Sequence, residues 1–474
     1  MSEQNFSQEE ILKGRQKIYE FVAKTKNITS RYIVIIALAS LWIDAFDFSG
    51  FSLVLPSYVN TFHPSAFWLG FSVAAINLGA AFGAFIGGYL TDKLGRRIMF
   101  IVNMILFVLM AILAGISTNL YEFVIFRIGL GFALGADVST AFTYIFEFLE
   151  EKQRLFWSNL WQAQWYIMYL VTILGVIVPF YIFTGSLTNP LLWRYIMFGG
   201  AILAFIILLL RSKIPESVLW SAYKGNLKDA KKIILKTYGV NLSEVPDVNY
   251  DLGKTMRFLH NLKAVYTLKK WREWLYSYLG SFEQCIVSWG FGQYLPYIIL
   301  VLALKGPLAA IYAELIFYSA GLVAGFLVAY LTRSIGTKTQ YVIGAIIEGI
   351  AIILFGVVYQ FKWPFYLLIG FASMFFFFHV IGPASQATTS AGAFFGAKER
   401  GTAEGWTYTY CKAAGVISSF AFPLLLVSVG MLGLTYVLGF FAIGVGILGI
   451  FIGYDARKYK NPDITEITTE TTMK

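Results

Sequence analysis

Long apolar runs, separated by short polar segments, fill most of the chain. A helix that crosses a bilayer needs about 20 mainly apolar residues. Twelve runs reach this length: 31–58, 67–91, 97–117, 120–147, 155–183, 191–211, 273–302, 308–331, 339–360, 363–390, 403–428 and 431–454. The pattern therefore predicts an all-α membrane protein with twelve transmembrane helices in two groups of six.

One long polar segment separates the two groups of helices. It covers residues 212–272 and is expected to be a cytoplasmic linker that carries surface helices. The rest of the predicted domain plan is an N-terminal segment 1–30, two six-helix bundles at 31–211 and 273–454, and a tail at 455–474. Two bundles of six helices in one chain are typical of transporters built from internal repeats.

Composition places most of the chain in lipid. The 474 residues are 58% hydrophobic and 14% charged, against about 25% charged in a typical soluble domain. The net charge is +10, but the basic residues lie between the apolar runs and form no single patch, which argues against nucleic acid as a partner. Cys285 and Cys411 have no CxxC or histidine neighbour, so neither a disulfide framework nor a zinc site is expected.

The distribution of Lys and Arg predicts the orientation in the membrane. All but five of the 37 Lys and Arg residues fall in the two termini and in every second loop. Because cytoplasmic loops carry such an excess, both termini are expected to be cytoplasmic, in a multi-pass protein of the plasma membrane. No short apolar stretch with a small-residue cleavage site precedes the first run, so a cleaved signal peptide is not expected.

A basic turn follows the second predicted helix. Its marked positions are Gly88, Asp92, Gly95, Arg96 and Arg97. Residues Tyr330–Lys338 repeat the turn half a chain later, with Arg333 at the position of Asp92. The turn resembles the signature loop of the major facilitator superfamily, and with its repeat the resemblance covers nearly the whole chain. It implies two pseudo-symmetric six-helix bundles that contact each other at this turn.

The fourth predicted helix carries a second pattern. The run Arg127–Asp137 contains three glycines, which let a neighbouring helix approach closely. Together with Glu147 and Arg154 it resembles the fourth-helix motif of the same superfamily. We assign Arg127, Glu147 and Arg154, together with Arg400 in the second half, to structural or gating positions.

Several ionisable residues lie near the middle of predicted helices. They are Asp44, Asp47, Asp137, Glu283 and Lys412. A charge at the centre of a membrane helix costs at least about 2.5–3.5 kcal/mol on insertion scales, so such residues usually serve a function. Two interpretations stay open: the carboxyl groups load and release protons, or they form static ion pairs, for example Asp47 with Arg127.

A narrower resemblance points to phosphate:proton symporters of this superfamily. It is carried by Asp44-Ala-Phe-Asp47, by Gly135-Ala-Asp137, and by Arg400–Gly405 leading to Lys412. The resemblance implies that Asp44, Asp47 and Asp137 carry protons. It also implies that Lys412 contacts the substrate anion. Val138 departs from the pattern, because that family has tyrosine at this position.

A further segment resembles a different branch of the superfamily. Ile214–Ser217, after the sixth predicted helix, is similar to the corresponding segment of sugar porters. The paired glutamines of their seventh helix are absent, and Glu283 and Gln284 stand in that region. We assign both to substrate binding. Gln162 and Gln164 of the fifth helix are assigned to substrate binding as well, with the alternative that one of them satisfies a neighbouring helix.

Three other ionisable residues have no motif. His379 is either a titratable group near the pathway or a packing histidine, and Glu314 and Glu348 have no assigned role. No nucleotide-binding GxxxxGK[ST] loop, metal-ligand spacing or nucleophile–base pattern occurs in the sequence. The sequence therefore predicts no enzyme, no metal and no cofactor, with a proton gradient as the driving force.

The leading hypothesis is secondary active symport of a small polar or anionic solute with protons, by alternating access between the two halves. Phosphate, an organic acid or a sugar acid would fit. The alternative is a sugar porter or facilitator, in which the acids are structural. A hypothesis of another class is a membrane sensor that transports nothing. The expected partners are a small-molecule substrate, protons and the lipid bilayer, with a monomer as the working unit.

Overall fold

The computed structural model of the chain is helical throughout its apolar part. It describes residues 8–25, 28–183, 189–249, 262–263, 265–295, 298, 307–459 and 462–463. Within these residues, nine helices are long and apolar enough to cross a membrane. The described residues of the other three predicted spans, the fifth, seventh and eleventh, also lie on helices. The prediction of an all-helical, multi-pass membrane protein is confirmed.

The described residues of the first half form ten helices. They are α1 (Gln8–Lys24), α2 (Ile28–Ala37), α3 (Ser40–Leu53), α4 (Leu55–Phe62), α5 (Ala66–Leu94), α6 (Arg96–Ile116), α7 (Leu120–Phe148), α8 (Glu151–Asn159), α9 (Trp161–Phe183) and α10 (Leu192–Arg211). The first predicted span is broken after Ala37 and again at Val54, where Pro56 starts the short helix α4. The fifth span begins at Trp161 and not at 155, because residues 155–159 belong to α8.

Eight more α-helices lie in the described part of the linker and the second half. They are α11 (Val218–Tyr223), α12 (Leu227–Tyr238), α13 (Trp271–Val287), α14 (Pro307–Ser334), α15 (Thr337–Gln360), α16 (Phe365–His379), α17 (Ser385–Phe394) and α18 (Arg400–Ile452). α11 and α12 lie in the segment expected to carry surface helices. α18 contains the last two predicted spans, which meet at Gly430 with a φ of 68°.

Two short π-helical segments interrupt the second half. Ser288–Gly292 continues α13, and Val380–Ala384 separates α16 from α17. In the second segment Pro383 supplies no amide hydrogen and Gly382 has non-helical backbone angles of −94° and −119°. Segments of this kind often occur at functional sites in helices. Both lie beside the central cavity described below.

Close helix contacts hold the bundles together through glycine. α5 and α7 touch backbone to backbone, and a Cβ atom at Gly131 or Gly135 would overlap a carbonyl oxygen of α5. The two halves meet through α5 and α18, where Gly88 lies against Gly401. Large apolar side chains such as Ile125 and Phe440 point outward, as expected of a surface that faces lipid.

Candidate functional site

A cavity lies between the two halves. Its volume is about 80 Å³, and α3 and α9 of the first half face α13, α16, α17 and α18 of the second half across it. The polar side chains in its wall are Asp44, Gln162, Gln284, Ser288, His379, Thr388, Tyr408 and Lys412. Aromatic rings, among them Trp161, Trp165 and Trp289, form much of the rest. A few polar groups in an aromatic wall are typical of a small-molecule site.

An ion pair joins the two halves at this cavity. The Lys412 Nζ of α18 lies 3.3 Å from the Asp44 Oδ1 of α3. The Tyr408 hydroxyl donates to the other Asp44 oxygen at 3.4 Å. The ammonium group also lies 5.0 Å from the ring centres of Trp289 and Tyr408. The side chain of Lys412 is thus held between a carboxylate and two aromatic faces.

A second ion pair lies one helical turn away. Arg127 donates two hydrogen bonds to the carboxylate of Asp47, at 3.0 and 3.2 Å. Its guanidinium lies 4.0 Å from the ring centre of Phe51, and both charged residues are buried. Because Asp44 and Asp47 are three residues apart, they share a face of α3, as predicted. Arg127 forms the ion pair with Asp47 that one of the two interpretations of the sequence names, and the pair lies one turn from the cavity wall.

Asp137 is not part of this cluster. Its carboxylate lies 2.6 Å from Arg211 Nη1, and both side chains are fully buried. Arg211 also donates to the carbonyl oxygens of Ile36 and Ala37 at the end of α2. The structure thus pairs Asp137 with Arg211 and not with the residues at the cavity, and its proton role stays a prediction. The sequence could not show this, because the partner arginine ends a different helix.

Besides Lys412, four side chains are proposed as substrate contacts, and they divide into two groups. Gln162 and Gln284 line the cavity. Gln164 instead accepts a hydrogen bond at 3.0 Å from the Trp42 indole, and so satisfies a neighbouring helix. Glu283 is fully buried and is absent from the cavity wall. Gln164 therefore fits the alternative in which one of the two glutamines satisfies a neighbouring helix, and substrate contact by Glu283 stays a prediction. Neighbours along a helix point in different directions, which separates Glu283 from Gln284.

His379 connects the cavity to a buried carboxyl group. It lies in the cavity wall, and its Nδ1 atom lies 2.8 Å from Glu348 Oε2. Glu348 has no exposed surface. Neither of the two alternatives for His379 included this partner.

The basic turn forms a buried network where the halves meet. Arg96 donates to both oxygens of Glu147 at 2.7 and 2.9 Å, and to the Ala397 carbonyl oxygen of the second half at 3.2 Å. Asp92 accepts from the Thr402 amide and hydroxyl, both at 2.8 Å, at the start of α18. We call the membrane side that carries this network the basic side. The halves are in contact there.

Two carboxylates that are not among the predicted site residues also bind arginines or amide groups on the basic side. Glu216, which follows α10, accepts from the Arg96 amide at 2.9 Å and from the Arg97 amide at 3.2 Å. Burial raises the pKa of Glu216, and these amide hydrogens oppose the rise. Asp463 in the tail lies 2.8 Å from Arg400 and 3.5 Å from Arg154.

The two cysteines form a disulfide, although the sequence predicts no disulfide framework. Cys285 of α13 and Cys411 of α18 are joined by a disulfide, with 5.2 Å between their Cα atoms. They are 126 residues apart in sequence. A sequence without CxxC spacing gives no sign of this pairing, because two different membrane helices bring the thiols together.

Comparison with known proteins decides the family. The family described as "Sugar (and other) transporter" matches residues 11–459, which is nearly the whole chain. The chain belongs to this family. Its members are transporters and not enzymes, in agreement with the sequence.

Curated relatives match parts of the transporter. It is 28% identical to the putative metabolite transport protein YaaU of Escherichia coli over 36% of this chain and 37% of the relative. It is 29% identical to the arabinose-proton symporter of Bacillus subtilis over 38% of this chain and 39% of that relative. It is 25% identical to the inner membrane metabolite transport protein YgcS of E. coli over 56% and 57%. The matched segments thus span between 37% and 57% of these relatives.

Solved structures establish the fold of the transporter. The proton:xylose symporter XylE bound to 6-bromo-6-deoxy-D-glucose superposes with a TM-score of 0.79, covering 93% of this chain and 100% of that chain at 18% identity. The inward-open conformation of the xylose transporter XylE from E. coli superposes with a TM-score of 0.67, covering 93% of this chain and 99% of that chain at 19% identity. The predicted major facilitator fold is confirmed. The narrower likeness to phosphate:proton symporters is not supported, because the matched family and these relatives are sugar and metabolite transporters.

Sequence reasoning missed several partners in the transporter. Arg211 and Asp463 were missed because each lies far along the chain from its partner. Glu216 lies in the segment that resembles sugar porters, and this likeness was a usable signal. Glu348 was noticed as an intramembrane acid, and the general rule that such acids have partners could have linked it to His379.

Proposed function

We propose that the chain is a secondary active transporter that couples proton movement to the transport of a small sugar-like metabolite. The observation that carries this proposal is the pair Asp44–Lys412, which joins the two halves at the cavity one turn from Asp47–Arg127. Two relatives support it: the arabinose-proton symporter of B. subtilis and the galactose-proton symporter of E. coli, 29% and 30% identical over 38% of this chain.

The proton step is assigned to the two aspartates of α3. When Asp47 is ionised, its two hydrogen bonds hold the Arg127 guanidinium. A proton on Asp47 removes the negative charge and loosens this contact. A proton on Asp44 similarly releases Lys412, which is the ionic contact between halves at the cavity. Protonation therefore weakens the connection between the halves where the solute would bind.

The cavity wall suits a polyhydroxylated solute. Gln162 and Gln284 offer amide donors and acceptors from opposite halves. The rings of Trp289 and Tyr408 provide flat surfaces for the apolar face of a sugar. A cavity of about 80 Å³ has room for only a few water molecules, so a monosaccharide requires the halves to separate further.

Alternating access requires the basic side to open. In this structure Asp92 binds the start of α18 through Thr402, and Arg96 binds Ala397. These contacts join the halves directly. Rocking of the halves would break them and expose Asp44 and Lys412 to the opposite side of the membrane.

Uptake by purified protein in proteoliposomes tests the proposal. Labelled D-xylose, L-arabinose, D-galactose and D-glucose would be offered with and without an inward proton gradient. We expect at least one sugar to accumulate above its external concentration only when the gradient is present. Uptake that is saturable but indifferent to the gradient would establish the facilitator instead. Absence of saturable uptake for these sugars and for sugar acids would favour the sensor.

A second candidate solute is a sugar acid or another small carboxylate. The ammonium group of Lys412 in the cavity wall favours it, because a carboxylate could replace Asp44 as its partner. Competition by D-glucuronate against the transported sugar separates the two candidates. Stronger inhibition by D-glucuronate than by D-glucose, lost in Lys412→Ala, supports the acid. Equal inhibition supports the neutral sugar.

We also propose that the basic side faces the cytoplasm and that the monomer is the working unit. The charge distribution along the chain supports the orientation. A cysteine introduced at the exposed Lys236 of α12 should react with a membrane-impermeant thiol reagent only after the cells are permeabilised. Reaction in intact cells would reverse the orientation. Uptake that scales linearly with protein at one copy per vesicle would support the monomer.

A further inference from the structure

Three ionisable side chains of the second half meet beside the cavity. Glu283 lies on α13, Glu348 on α15 and His379 at the end of α16. His379 Nδ1 lies 2.8 Å from Glu348 Oε2, and the carboxyl group of Glu283 is a close neighbour of the Glu348 carboxyl group. Glu283 and Glu348 have no exposed surface, and His379 retains 4%. The proposed function above gives this group no role.

The side chains of Glu283, Glu348 and His379 cannot all be unprotonated at the same time. No nitrogen or hydroxyl donor of the described residues reaches either oxygen of Glu283, or Oε1 of Glu348. Within the part of the chain that the structure describes, no Lys or Arg forms an ion pair with either carboxyl group. The other titratable neighbours are the phenols of Tyr341 and Tyr166, which are neutral. Two adjacent carboxylates with one imidazole cannot all stay unprotonated in such a site.

The position of the group links it to the moving part of the fold. His379 is the last residue before the π-helical segment Val380–Ala384. One turn from Glu348, Gly344 packs directly against Gly382 of that segment, so a Cβ atom on either glycine would collide with the other backbone. A change in the π-helical segment would therefore move His379 relative to Glu348. The same imidazole lies in the cavity wall and can meet water there.

We propose that Glu283, Glu348 and His379 form a second proton-binding site of this protein, separate from Asp47 and Arg127 in the first half. The site is loaded from the cavity through His379. Its use in transport rests on the proposed function. Its existence as a proton site does not.

The proton steps balance as follows. In the unloaded state Glu283 carries one proton, which it donates to Glu348, while neutral His379 donates its Nδ1 hydrogen to the same ionised carboxylate. The net charge is −1. A proton from cavity water then adds to Nε2, the imidazolium pairs with the Glu348 carboxylate, and the net charge becomes zero. Release reverses the step, with the proton returned to water from Nε2.

Infrared difference spectroscopy of the purified protein in liposomes tests the site without any solute. A protonated carboxyl has a carbonyl band that a carboxylate lacks. We expect Glu283→Gln to remove one such band, and His379→Asn to shift that band and abolish its response to pH. Glu314→Gln is the matched control, because Glu314 is also a buried acid, on α14, but is not part of this group. His379→Asn should leave the band assigned by Glu314→Gln unchanged.

The contrary result is equally clear. If Glu283→Gln removes no band, or if His379→Asn leaves that band and its pH response unchanged, the second site does not exist. Size-exclusion profiles and melting temperatures show whether each variant is folded. If His379→Asn does not fold, Glu348→Gln provides the same test, because it cuts the same link and should likewise shift the Glu283 band.

Transport gives a separate measurement. In proteoliposomes that accumulate one of the four sugars, the proton-to-sugar ratio follows from the membrane potential that stops net flux. We expect about one proton fewer per sugar for His379→Asn than for the natural chain, because His379 Nε2 is the atom that takes up and releases the proton. An unchanged ratio would exclude the site from coupling. If none of the sugars is driven by protons but the infrared result holds, the proposed function fails and the proton site stands.

Discussion

At the scale of single residues, the important distinction is between two kinds of buried ion pair. Asp47–Arg127 lies one turn from the cavity, on the face of α3 that also carries Asp44. Asp137–Arg211 lies apart from the cavity wall and binds the end of α2. Removing one partner of a buried pair costs about 3–5 kcal/mol, because the other charge is left uncompensated. Breaking either pair should therefore destabilise the protein to a similar degree, so the two pairs should differ mainly in their effect on transport.

Asp47→Asn should uncouple transport. Asparagine keeps the shape of the side chain but cannot take up or release a proton. We expect accumulation driven by a proton gradient to fall to the equilibrium level, while exchange of internal for external sugar continues at a reduced rate. Parallel measurements of both modes in proteoliposomes test this. Loss of both modes to the same degree would make the pair structural.

Asp137→Asn should act on stability. The carboxylate is the ionic partner of Arg211, and its loss leaves that guanidinium with backbone carbonyl partners. We expect a lower melting temperature in detergent, with part of the loss recovered in the double variant Asp137→Asn, Arg211→Met, which removes both charges. A stable Asp137→Asn protein that has lost accumulation but retains exchange would instead restore the proton role implied by the resemblance.

At the scale of helices, the contact between α5 and α7 depends on glycines at fixed spacing. The close approach leaves no room for a side chain at Gly131 or Gly135, whose neighbours are backbone atoms of α5. Backbone atoms cannot move aside as a side-chain end can. The glycine pattern of the fourth predicted helix is therefore explained by packing.

Gly135→Ala should weaken this contact. An added methyl group would overlap the Ala80 carbonyl oxygen, and overpacking of this kind costs about 1–3 kcal/mol. Gly444→Ala in α18 is the matched control, since nothing lies within 4 Å of the added atom. We expect Gly135→Ala to have a lower melting temperature than the natural chain, and Gly444→Ala to have the same melting temperature as the natural chain. Equal melting temperatures would show that α5 and α7 can move apart at little cost.

Helix positions could be predicted largely from apolar run length, because lipid requires about 20 apolar residues per span. The breaks were not predictable. The run at 363–390 reads as one helix, yet Gly382 and Pro383 divide it by a π-helical segment. The partners of charged residues were equally hidden: the resemblance gives Asp137 the same role as Asp44, but Asp137 pairs with Arg211 and Asp44 with Lys412. Such pairs depend on how helices rotate against each other, and one sequence does not record this rotation.

At the scale of the whole molecule, the internal repeat is incomplete where the halves meet. Arg154 and Arg400 are equivalent, and each donates its Nε hydrogen to the carbonyl oxygen five residues earlier. Glu147 binds Arg96 in the first half, but the corresponding position in the second half is Ala393. Asp463 of the tail takes the place of the missing carboxylate. It binds Arg400 at 2.8 Å and lies 3.5 Å from Arg154, so it connects both halves.

The charge state of Asp463 determines when this connection exists. Burial opposes ionisation, but Arg400 and Arg154 outweigh it and hold the pKa of Asp463 below its ordinary value. A carboxyl whose pKa is lowered in the folded protein stabilises it above the unfolded pKa of about 3.9, and the contribution is lost as the pH falls through the folded value. The connection should therefore be intact and independent of pH between about pH 5 and 8.

Asp463→Asn should open the basic side at neutral pH. The asparagine cannot neutralise Arg400 and Arg154, and Arg400 then keeps Glu147, at 3.7 Å, as its carboxylate partner. The added positive charge where the halves meet favours their separation. We expect spin-label distances between α8 and α17 to lengthen and broaden relative to the natural chain. Asp455→Asn is the control, because Asp455 pairs with Arg457, whose other contacts lie on α14 in the same half. Its distances should match those of the natural chain. If Asp463→Asn and Asp455→Asn give the same distances, the glycine contact of α5 with α18 and the binding of Asp92 to Thr402 suffice to hold the halves together.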